Sequence, residues 1–450
     1  MIPKPKIESQ EQLIAFVKEQ DVKFIDLQFT DIGGAVKNVT IPTSEIEATV
    51  NHGIWFDGSS VEGFARVAES DMYLTPDITS FAILPWLSNE EKTGRLICNV
   101  FTPNGLPFLG DPRTILQNVL AEADAMGFEY KTGPELEFFL LRRHADGSIF
   151  PPTPQDNGGY FDQPVDMVAT SFWRQVTHAL TAFGIEAEAM HHEVSPGQHE
   201  IDFRYSGALV TADNAVTFRT LIKILADQKG LYATFMPKPV RGLSGNGMHV
   251  HQSLCFKANG ANAFCDPGDS HGLSKIAKHF IAGQLEHARG MCAILAPLVN
   301  SYKRLVQGYE APVYTSWGRI NRSALIRIPR VHSIGSTRIE LRCPDPSCNP
   351  YLAFAAMLAA GLDGIKRELP LQDAHEENLY LLAGSPQAET IGVLPGSLQE
   401  AIAELEKDEV MKTALGAHVY ERFINAKKQE WEEYRLEVSK WELERYLPIY

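Results

Sequence analysis

Short apolar runs, broken by glycine and polar segments, dominate the first hundred residues and predict strands. The runs are 22–29, 35–41, 81–85 and 95–101. Gly33-Gly34 and the polar segment 56–63 interrupt them, as turns and loops do. This pattern indicates a small β-rich domain with one or two helices.

From Gly110 onward the spacing of apolar residues becomes helical. Asp111 is a suitable N-cap, Pro112 suits the first turn, and the run ends at Gly127. Further helices are predicted at 168–183, 212–229, 273–296 and 350–367. Asn349 is the predicted N-cap of the last of these. A long or broken surface helix is predicted at 418–447.

The strand-like segments between these helices carry polar residues two positions apart. Side chains at positions i and i+2 share one face of a strand. The larger part of the chain therefore predicts a sheet with one face lined by carboxylates, imidazoles and guanidiniums. This arrangement is α+β and not a periodic βαβ chain.

Length, charge and composition narrow the function. The chain has 450 residues, and a chain of this length usually folds into two to three domains. With 41 Lys+Arg against 56 Asp+Glu, its net charge is −15. We expect no nucleic-acid partner, because such binding relies on basic residues that neutralise phosphates.

Apolar content and cysteine spacing bear on location. We expect no membrane association, because no apolar run approaches the roughly 20 residues that cross a bilayer and the N-terminus lacks an apolar signal core. The six cysteines form no Cys-x-x-Cys pair. Scattered cysteines are typical of reduced thiols, so we expect a cytoplasmic protein.

Two motifs place paired carboxylates on predicted strands. In one apolar strand Glu135 and Glu137 point to the same side, where two carboxylates repel unless a cation lies between them. A hairpin turn at 195–197 would bring Glu193 and Glu200 together. Taken singly, each motif is explained equally well by a solvated acidic strand or hairpin.

A glycine-rich turn at 245–247 precedes a strand on which His249, His251 and Ser253 share a face. Glycine turns let backbone N–H groups approach an anion or an amino acid. A lone His-x-His pair more often marks surface histidines or histidines with ordinary hydrogen-bond partners.

Arginines are dense between residues 304 and 342, although the chain is acidic. They are Arg304, Arg319, Arg322, Arg327, Arg338 and Arg342, and Glu340 shares a strand face with the last two. Guanidinium groups bind phosphate and carboxylate through two parallel hydrogen bonds. The alternative explanation is a set of salt bridges between subunits.

Together these glutamates and one histidine form a hard, oxygen-rich donor set that suits Mg²⁺ or Mn²⁺ and not zinc. Metal ions beside an arginine cluster are typical of enzymes that transfer a phosphoryl group from a nucleotide. The sequence contains neither a Gly-x-x-x-x-Gly-Lys-Ser/Thr loop nor a Gly-x-Gly-x-x-Gly motif.

Over essentially its whole length the chain resembles glutamine synthetase of the type I class, in its shorter, non-adenylylated subclass. Six ordered motifs carry the resemblance: Asp57-Gly58-Ser59-Ser60, Gly133-Pro134-Glu135-Leu136-Glu137, His191-His192-Glu193 with Glu200, Met248-His249-Val250-His251, Asn321-Arg322-Ser323-Ala324, and Arg338-Ile339-Glu340-Leu341-Arg342.

The resemblance implies an α+β fold with a β-grasp domain at residues 1–105. It also implies a catalytic domain at residues 106–450, built as an antiparallel half barrel with helices. The implied reaction joins ammonia to L-glutamate, with ATP as co-substrate, through γ-glutamyl phosphate, and gives glutamine, ADP and phosphate for nitrogen assimilation. The implied assembly is a homo-dodecamer of two stacked hexamers, in which the Asp57 loop of one subunit closes the site of the next.

The resemblance also assigns roles to individual residues. One metal ion would be bound by Glu137, Glu193 and Glu200, and a second by Glu135, His249 and Glu340. The ATP positions are His251, Ser253, Arg322 and Arg338, with Arg322 also counted as catalytic. The glutamate positions are Gly245, Arg304, Arg327 and Arg342. Asp57 and Glu310 hold ammonium and remove its proton, which is required because ammonium is not a nucleophile.

The sequence departs from the family pattern at the glycine turn, where Ser244 replaces an asparagine that helps to position glutamate. Amino-acid preference is therefore open. Tyr380 aligns with the tyrosine that is adenylylated in the longer subclass, but the insertion of that subclass is missing, so we do not expect modification. Arg66 matches the residue through which the shorter subclass senses glutamine, so we expect feedback inhibition. Small regulatory proteins are further candidate partners.

Two alternatives remain at this point. A γ-glutamyl ligase acting on a polyamine or another primary amine would keep the ATP and metal machinery and change the amine pocket. Retention of Asp57 and Glu310 favours ammonium, because a small cation needs a close anionic cage. The other alternative, a non-catalytic scaffold or regulatory relative, would be expected to lose metal ligands, and all six are present.

Overall fold

The structure is a computed structural model of the chain. It describes residues 2–59, 61, 63, 71–163, 167–308, 311–321, 323–331, 333–377, 379 and 391–450. Among these residues, no helix combines the length and the apolar character needed to span a bilayer.

The N-terminal part forms a five-stranded sheet in the order β2-β1-β5-β4-β3. Its strands are β1 (Phe24–Thr30), β2 (Val36–Pro42), β3 (Ile54–Asp57), β4 (Asp71–Ile83) and β5 (Thr93–Phe101). Among the described strands of this sheet, β1 and β5 pair in parallel and the other pairs are antiparallel. Two helices, α1 (Gln10–Glu19) and α2 (Ile46–His52), bury their apolar sides in the same core. The four predicted strands and the one or two helices are confirmed, whereas β3 extends into the segment 56–63 that was predicted to be a loop.

A larger, nine-stranded sheet follows, in the order β12-β13-β14-β11-β6-β8-β7, with β9 and β10 pairing to β6. Its strands are β6 (Phe128–Arg142), β7 (Ala187–His192), β8 (Gln198–Phe203), β9 (Ser206–Gly207), β10 (Leu231–Thr234), β11 (Met248–Phe256), β12 (Tyr314–Gly318), β13 (Ala324–Arg327) and β14 (Ile339–Leu341). All pairs are antiparallel except β12 with β13. This mostly antiparallel sheet confirms the α+β prediction.

Helices flank the larger sheet. They are α3 (Pro112–Ala125), α4 (Met167–Ala182), α5 (Ala208–Asp227), α6 (Lys275–Glu286), α7 (Ala288–Leu295), α8 (Pro350–Lys366), α9 (Leu398–Leu405), α10 (Glu409–Arg435) and α11 (Lys440–Tyr446). The predicted caps are confirmed: the Asp111 side chain accepts a hydrogen bond from the Arg113 N–H, and that of Asn349 from the Tyr351 N–H.

Two predicted helix spans need correction. The span 273–296 is two helices, α6 and α7, that meet at His287, whose ring nitrogens lie 3.0 Å from Asp363 and 2.8 Å from Asp408. The C-terminal span is broken between α10 and α11, one of its two predicted forms, but it begins earlier than predicted, and α10 is kinked where Gly416 takes a φ of +69°. Apolar spacing alone does not reveal either break, because both halves keep a buried apolar stripe.

The two faces of the larger sheet differ in polarity. Leu136, Phe138 and Val250 are fully buried in the core on the helix-covered face. Because strand side chains alternate, their neighbours Glu135, Glu137 and the β11 histidines project from the other face. The fold therefore provides an apolar support beneath a charged surface.

Candidate active site

A cavity of about 250 Å³ opens on the charged face of the larger sheet. The structure brings all six side chains assigned to metal binding to its wall, together with four assigned to glutamate. They are Glu135, Glu137, Glu193, Glu200, His249 and Glu340, with Gly245, Arg304, Arg327 and Arg342. The six come from β6, the turn after β7, β8, β11 and β14, so distant stretches of sequence meet at one place.

The strand register explains this convergence. Glu137 lies directly opposite Glu200, and Glu135 lies opposite Asp202 on one side and His249 on the other. Residues directly opposite in a sheet have adjacent side chains, and like charges in such pairs are destabilising. The register therefore places several carboxylates side by side on a half-buried surface.

Glu135, His249 and Glu340 form one group, which we call the histidine cluster. His249 Nδ1 lies 3.2 Å from a Glu135 oxygen and 3.6 Å from a Glu340 oxygen. Arg327 Nε and Arg342 Nε lie 2.5 Å and 3.3 Å from the Glu340 carboxylate. Positive and polar groups therefore surround both carboxylates.

The pKa values follow from these contacts. Burial acts to raise the pKa of Glu135, but hydrogen bonds from His249 and His251 outweigh it and hold this pKa well below its usual value. Burial also acts to raise the pKa of Glu340, but the charges of His249, His251 and Arg342 outweigh it and lower this pKa. Both carboxylates of the histidine cluster are therefore ionised at neutral pH.

Glu137, Glu193 and Glu200 form the second group, which we call the acidic cluster. Glu137 Oε2 accepts hydrogen bonds from the Gly247 N–H at 2.8 Å and the Gln198 side chain at 3.0 Å. His191 lies between the other two, 3.6 Å from Glu193 and 3.3 Å from Glu200.

Burial and mutual repulsion dominate the acidic cluster. Burial, and then the charge of Glu193, raise the pKa of Glu137 to about 8, and Arg304 offsets only part of this effect. Burial and the nearby Glu137 and Asp202 carboxylates raise the pKa of Glu200 as well. Buried carboxylates of this kind are stabilised when a cation neutralises them.

The donor chemistry of both clusters fits the metal ions that the sequence predicts. Carboxylate oxygens with a single imidazole are the donor set of Mg²⁺ and Mn²⁺. One donor atom from each member of the histidine cluster lies within 4.8 Å of the others. The carboxyl groups of Glu137 and Glu200 hold protons at neutral pH, which a divalent ion would displace.

The glycine turn forms one side of the cavity, where its backbone lies too close to neighbouring residues for a side chain at either glycine. A Cβ atom at Gly245 would lie 2.2 Å from the Pro237 carbonyl oxygen, and one at Gly247 would lie 2.6 Å from Arg304 Nη2. Asn246 is fully buried, and its side chain donates to the Met236 carbonyl at 2.9 Å. The cavity lining on this side is therefore Ser244 and bare backbone.

Arg304 is held rigidly at the cavity wall. Its guanidinium donates to the carbonyl oxygens of Arg342, Cys343 and Pro344 at 3.1, 2.9 and 3.1 Å. Only 3% of the residue is exposed. A fixed guanidinium of this kind is suited to binding a carboxylate without loss of side-chain entropy.

A second cavity of about 430 Å³ adjoins the first and shares Glu135 and Asp202 with it. His251, Ser253 and Arg338, the described residues assigned to ATP, all line it. Arg338 Nε donates to His251 Nδ1 at 3.2 Å, and His251 Nε2 donates to Glu135 Oε1 at 2.6 Å. A hydrogen-bonded chain thus connects the second cavity to the histidine cluster.

Some predicted residues lie elsewhere. Asp57 ends β3 in the smaller sheet, is exposed and does not line the cavity of its own chain. Hydrogen bonds from Ser59 lower the pKa of Asp57, so its carboxylate is ionised. Arg66, Glu310, Arg322 and Tyr380 lie outside the described residues.

The sequence-based prediction gave no role to four further polar side chains that line the cavity: Tyr160, His191, Gln198 and Asp202. Gln198 and Asp202 flank Glu200 at two-residue spacing, so the rule that identified Glu135 with Glu137 also identifies them. Gln198 joins Glu137 to the glycine turn, because its amide also donates to the Gly245 carbonyl at 3.0 Å. Tyr160 lies in a loop and carries no comparable sequence signal.

Comparison with known families first defines the class of protein. Residues 21–103 match the model described as "Glutamine synthetase, beta-Grasp domain", and residues 109–446 match "Glutamine synthetase, catalytic domain". The two sheets thus correspond to the two parts of one family of ligases.

Individual relatives agree with this class. The glutamine synthetase of Thermus thermophilus is 51% identical over 98% of this chain and 99% of the relative. That of Clostridium saccharobutylicum is 49% identical over the same shares. A solved structure, described as a GmaS/ADP complex, is 34% identical over 97% of this chain and 99% of that chain, with a TM-score of 0.88. The chain belongs to the glutamine synthetase family, and it is a glutamate–ammonia ligase.

Proposed function

We propose that the chain joins ammonia to the γ-carboxyl group of L-glutamate through γ-glutamyl phosphate, converting ATP to ADP and phosphate. The observation that carries this proposal is the meeting of two carboxylate clusters and three arginines where two cavities adjoin. Such a junction can hold an amino acid on one side and a nucleotide phosphate on the other.

Glutamate would occupy the smaller cavity. Arg304, Arg327 and Arg342 supply the positive charge for its carboxylate groups, and Gly245 leaves room for its backbone. The rigid hold on Arg304 supports this role, because a preorganised guanidinium orients a carboxylate at little entropic cost.

ATP would occupy the larger cavity, with His251, Ser253, Arg338 and Arg322 as its contacts. Two or more divalent ions, Mg²⁺ or Mn²⁺, would be held by the histidine and acidic clusters. When bound, they supply charge neutralisation for the transferring phosphoryl group. The arginines add hydrogen-bond donors for the same developing charge.

The ammonia step needs an anionic group that holds ammonium and takes its proton, and we assign Asp57 and Glu310 to it. Asp57 is ionised and exposed, and it lies on the smaller sheet away from its own cavity. These facts favour its use by a neighbouring copy, as in a dodecamer of two stacked hexamers. Closure of the site would also shield the acyl phosphate from water.

Several finer assignments follow from the family. We propose two domains, residues 1–105 and 106–450, a cytoplasmic location and a role in nitrogen assimilation. Glutamine would act as a feedback inhibitor through Arg66, small regulatory proteins remain candidate partners, and Tyr380 would stay unmodified. An Arg66→Ala enzyme that remains equally sensitive to glutamine would contradict the inhibition proposal.

The amine specificity is the decisive test. Phosphate release is measured with glutamate, ATP and Mg²⁺, and with ammonium, methylamine or putrescine as the amine. We expect the highest kcat/KM with ammonium. Faster release with either primary amine would instead support the γ-glutamyl-amine ligase, which Ser244 at the cavity wall favours. No release with any amine would support a non-catalytic relative.

A further inference from the structure

A third cluster of potential metal ligands lies behind the β7–β8 hairpin. It consists of Asp156, His192 and His199, and one donor atom from each lies within 4.8 Å of the others. His192 Nε2 lies 2.9 Å from Asp156 Oδ1, and His199 Nε2 lies 3.9 Å from Asp156 Oδ2. None of the three lines the substrate cavity.

His199 is the unusual member. It is 0% exposed, and among the residues that the structure describes neither of its ring nitrogens has a hydrogen-bond partner. The rings of Phe138 and Trp173 pack against it at 5.9 Å and 5.6 Å. An imidazole buried in apolar surroundings without partners costs free energy, and a bound ion is one arrangement that would supply its missing partner.

His192 directs its second ring nitrogen toward the same carboxylate, that of Asp156. Its Nδ1 lies 2.7 Å from the Glu193 carbonyl oxygen, which only accepts and therefore fixes a hydrogen on Nδ1. His192 Nε2 faces Asp156 Oδ1 at 2.9 Å and is the ring nitrogen that a metal ion would bind in place of a proton.

The distances leave space for an ion. The 3.9 Å between His199 Nε2 and Asp156 Oδ2 is too long for a hydrogen bond. Two ligands of one tetrahedral zinc ion, each about 2.0 Å from it, lie about 3.3 Å apart, so binding requires the two groups to move slightly closer. Asp156 Oδ1 is meanwhile occupied by the Gly197 N–H at 2.7 Å, which holds the carboxylate in place and leaves Oδ2 turned toward His199.

We propose that Asp156, His192 and His199 bind a structural divalent cation of the zinc class. Two imidazoles and one carboxylate are a typical zinc donor set, whereas the oxygen-rich catalytic clusters suit Mg²⁺ or Mn²⁺. The proposal goes beyond the ligase reaction, because the site takes no part in the chemistry.

The position of the Asp156, His192 and His199 cluster indicates a structural role for the ion. Asp156 belongs to the loop that carries Tyr160 to the substrate cavity, and the two histidines sit beside Glu193 and Glu200 in the hairpin. An ion at this point ties the loop to the hairpin that supplies the acidic cluster. It therefore acts as a positioning element for those two carboxylates.

The test is metal analysis of the full-length protein. The protein is stripped with a chelator, loaded with Zn²⁺ in the presence of excess Mg²⁺, desalted, and analysed for zinc per subunit. We expect one zinc per subunit that Mg²⁺ does not displace. Loading with Co²⁺ instead should give the visible absorption of a tetrahedral ion with nitrogen ligands, which octahedral oxygen sites lack.

Variants locate the ion. The double variant Glu137→Gln, His249→Asn removes a ligand from each catalytic cluster and should keep the zinc and the Co²⁺ spectrum. His199→Asn should lose both, while His144→Asn, a change outside the cluster, should lose neither. Absence of zinc in the wild-type protein under excess Mg²⁺, or loss of zinc in the double variant alone, would overturn the proposal even if His199→Asn failed to fold.

Discussion

The two carboxylate clusters of the candidate active site both bury negative groups, but their carboxyl pKa values shift in opposite directions. In the histidine cluster, two arginines and two histidines compensate Glu135 and Glu340, and both carboxyl pKa values are lowered. In the acidic cluster, compensation is incomplete, and burial raises the pKa of Glu137 to about 8.

The contrast shows that similar ligand sets can depend differently on their metal. The histidine cluster is preorganised as an ionised site before any ion binds. The acidic cluster holds protons in the metal-free chain, and a bound ion must displace them. The acidic cluster is therefore the part of the active site whose structure and charge depend most on metal.

The largest expected effect comes from removing one ligand of each cluster. Glu137→Gln and Glu340→Gln should each lower kcat/KM by about 10³-fold, because both weaken charge stabilisation of the phosphoryl group. Steady-state phosphate release at saturating Mg²⁺ measures this loss.

The stabilities of the same two variants should diverge and so test the comparison directly. In chelator at pH 8, Glu340→Gln should lose about 2 kcal/mol of unfolding free energy, because Arg327 and Arg342 lose a charged partner. Glu137→Gln should lose none, since it relieves a buried carboxylate. Equal losses in denaturant unfolding would show that the clusters are not electrostatically different.

The raised pKa of Glu137 should make the stability of the metal-free protein depend on pH. The Glu137 carboxyl ionises near 4.5 when unfolded and near 8 when folded, so the folded chain holds the extra proton between these values. Stability of the metal-free protein should therefore fall as pH rises from about 5 to 8. Saturating Mg²⁺ or the Glu137→Gln change should flatten this slope, as followed by unfolding at several pH values.

The lowered carboxyl pKa values of the histidine cluster predict the opposite trend in a different range. The stabilisation that these two carboxylates contribute is complete above the ordinary pKa of 4.5 and is lost as pH falls below it.

Proton release tests the acidic cluster separately. Calorimetry in buffers of different ionisation enthalpy should detect proton release on Mg²⁺ binding at pH 7. Binding without proton release would contradict a protonated acidic cluster.

A smaller effect is expected at Gln198, which joins Glu137 to the glycine turn. Gln198→Leu should weaken Mg²⁺ binding by about 10- to 100-fold, as loss of a hydrogen-bond partner of a metal ligand typically does. Gln284→Leu is the matched control, because this buried amide hydrogen bonds Gln252 on the helix-covered face. The control should lower stability and leave metal affinity unchanged.

The smallest effect is expected at the departure from the family pattern. Ser244→Asn adds an amide at the glutamate cavity and should lower the KM for glutamate by no more than about tenfold, the equivalent of one hydrogen bond. The KM for ATP, for which we propose the other cavity, should not change. A change in the preferred amine would place Ser244 in the amine pocket instead.

The sequence by itself determined which residue types face the site. Two-residue spacing put Glu135 with Glu137 and His249 with His251 on single strand faces, because alternation is a property of every strand. The same local rules located the N-caps of α3 and α8. The family resemblance then supplied the roles.

Only the tertiary structure decided how these faces meet. The pairing of Glu137 with Glu200 and the clash that excludes a Cβ at Gly245 depend on register and on contacts between distant segments. So does the meeting of Asp156 with His199, which lie in a loop and a strand that no local pattern connects. Local sequence sets the direction of a side chain relative to its own backbone, but neighbours, burial and charge balance arise only when separate strands pack together.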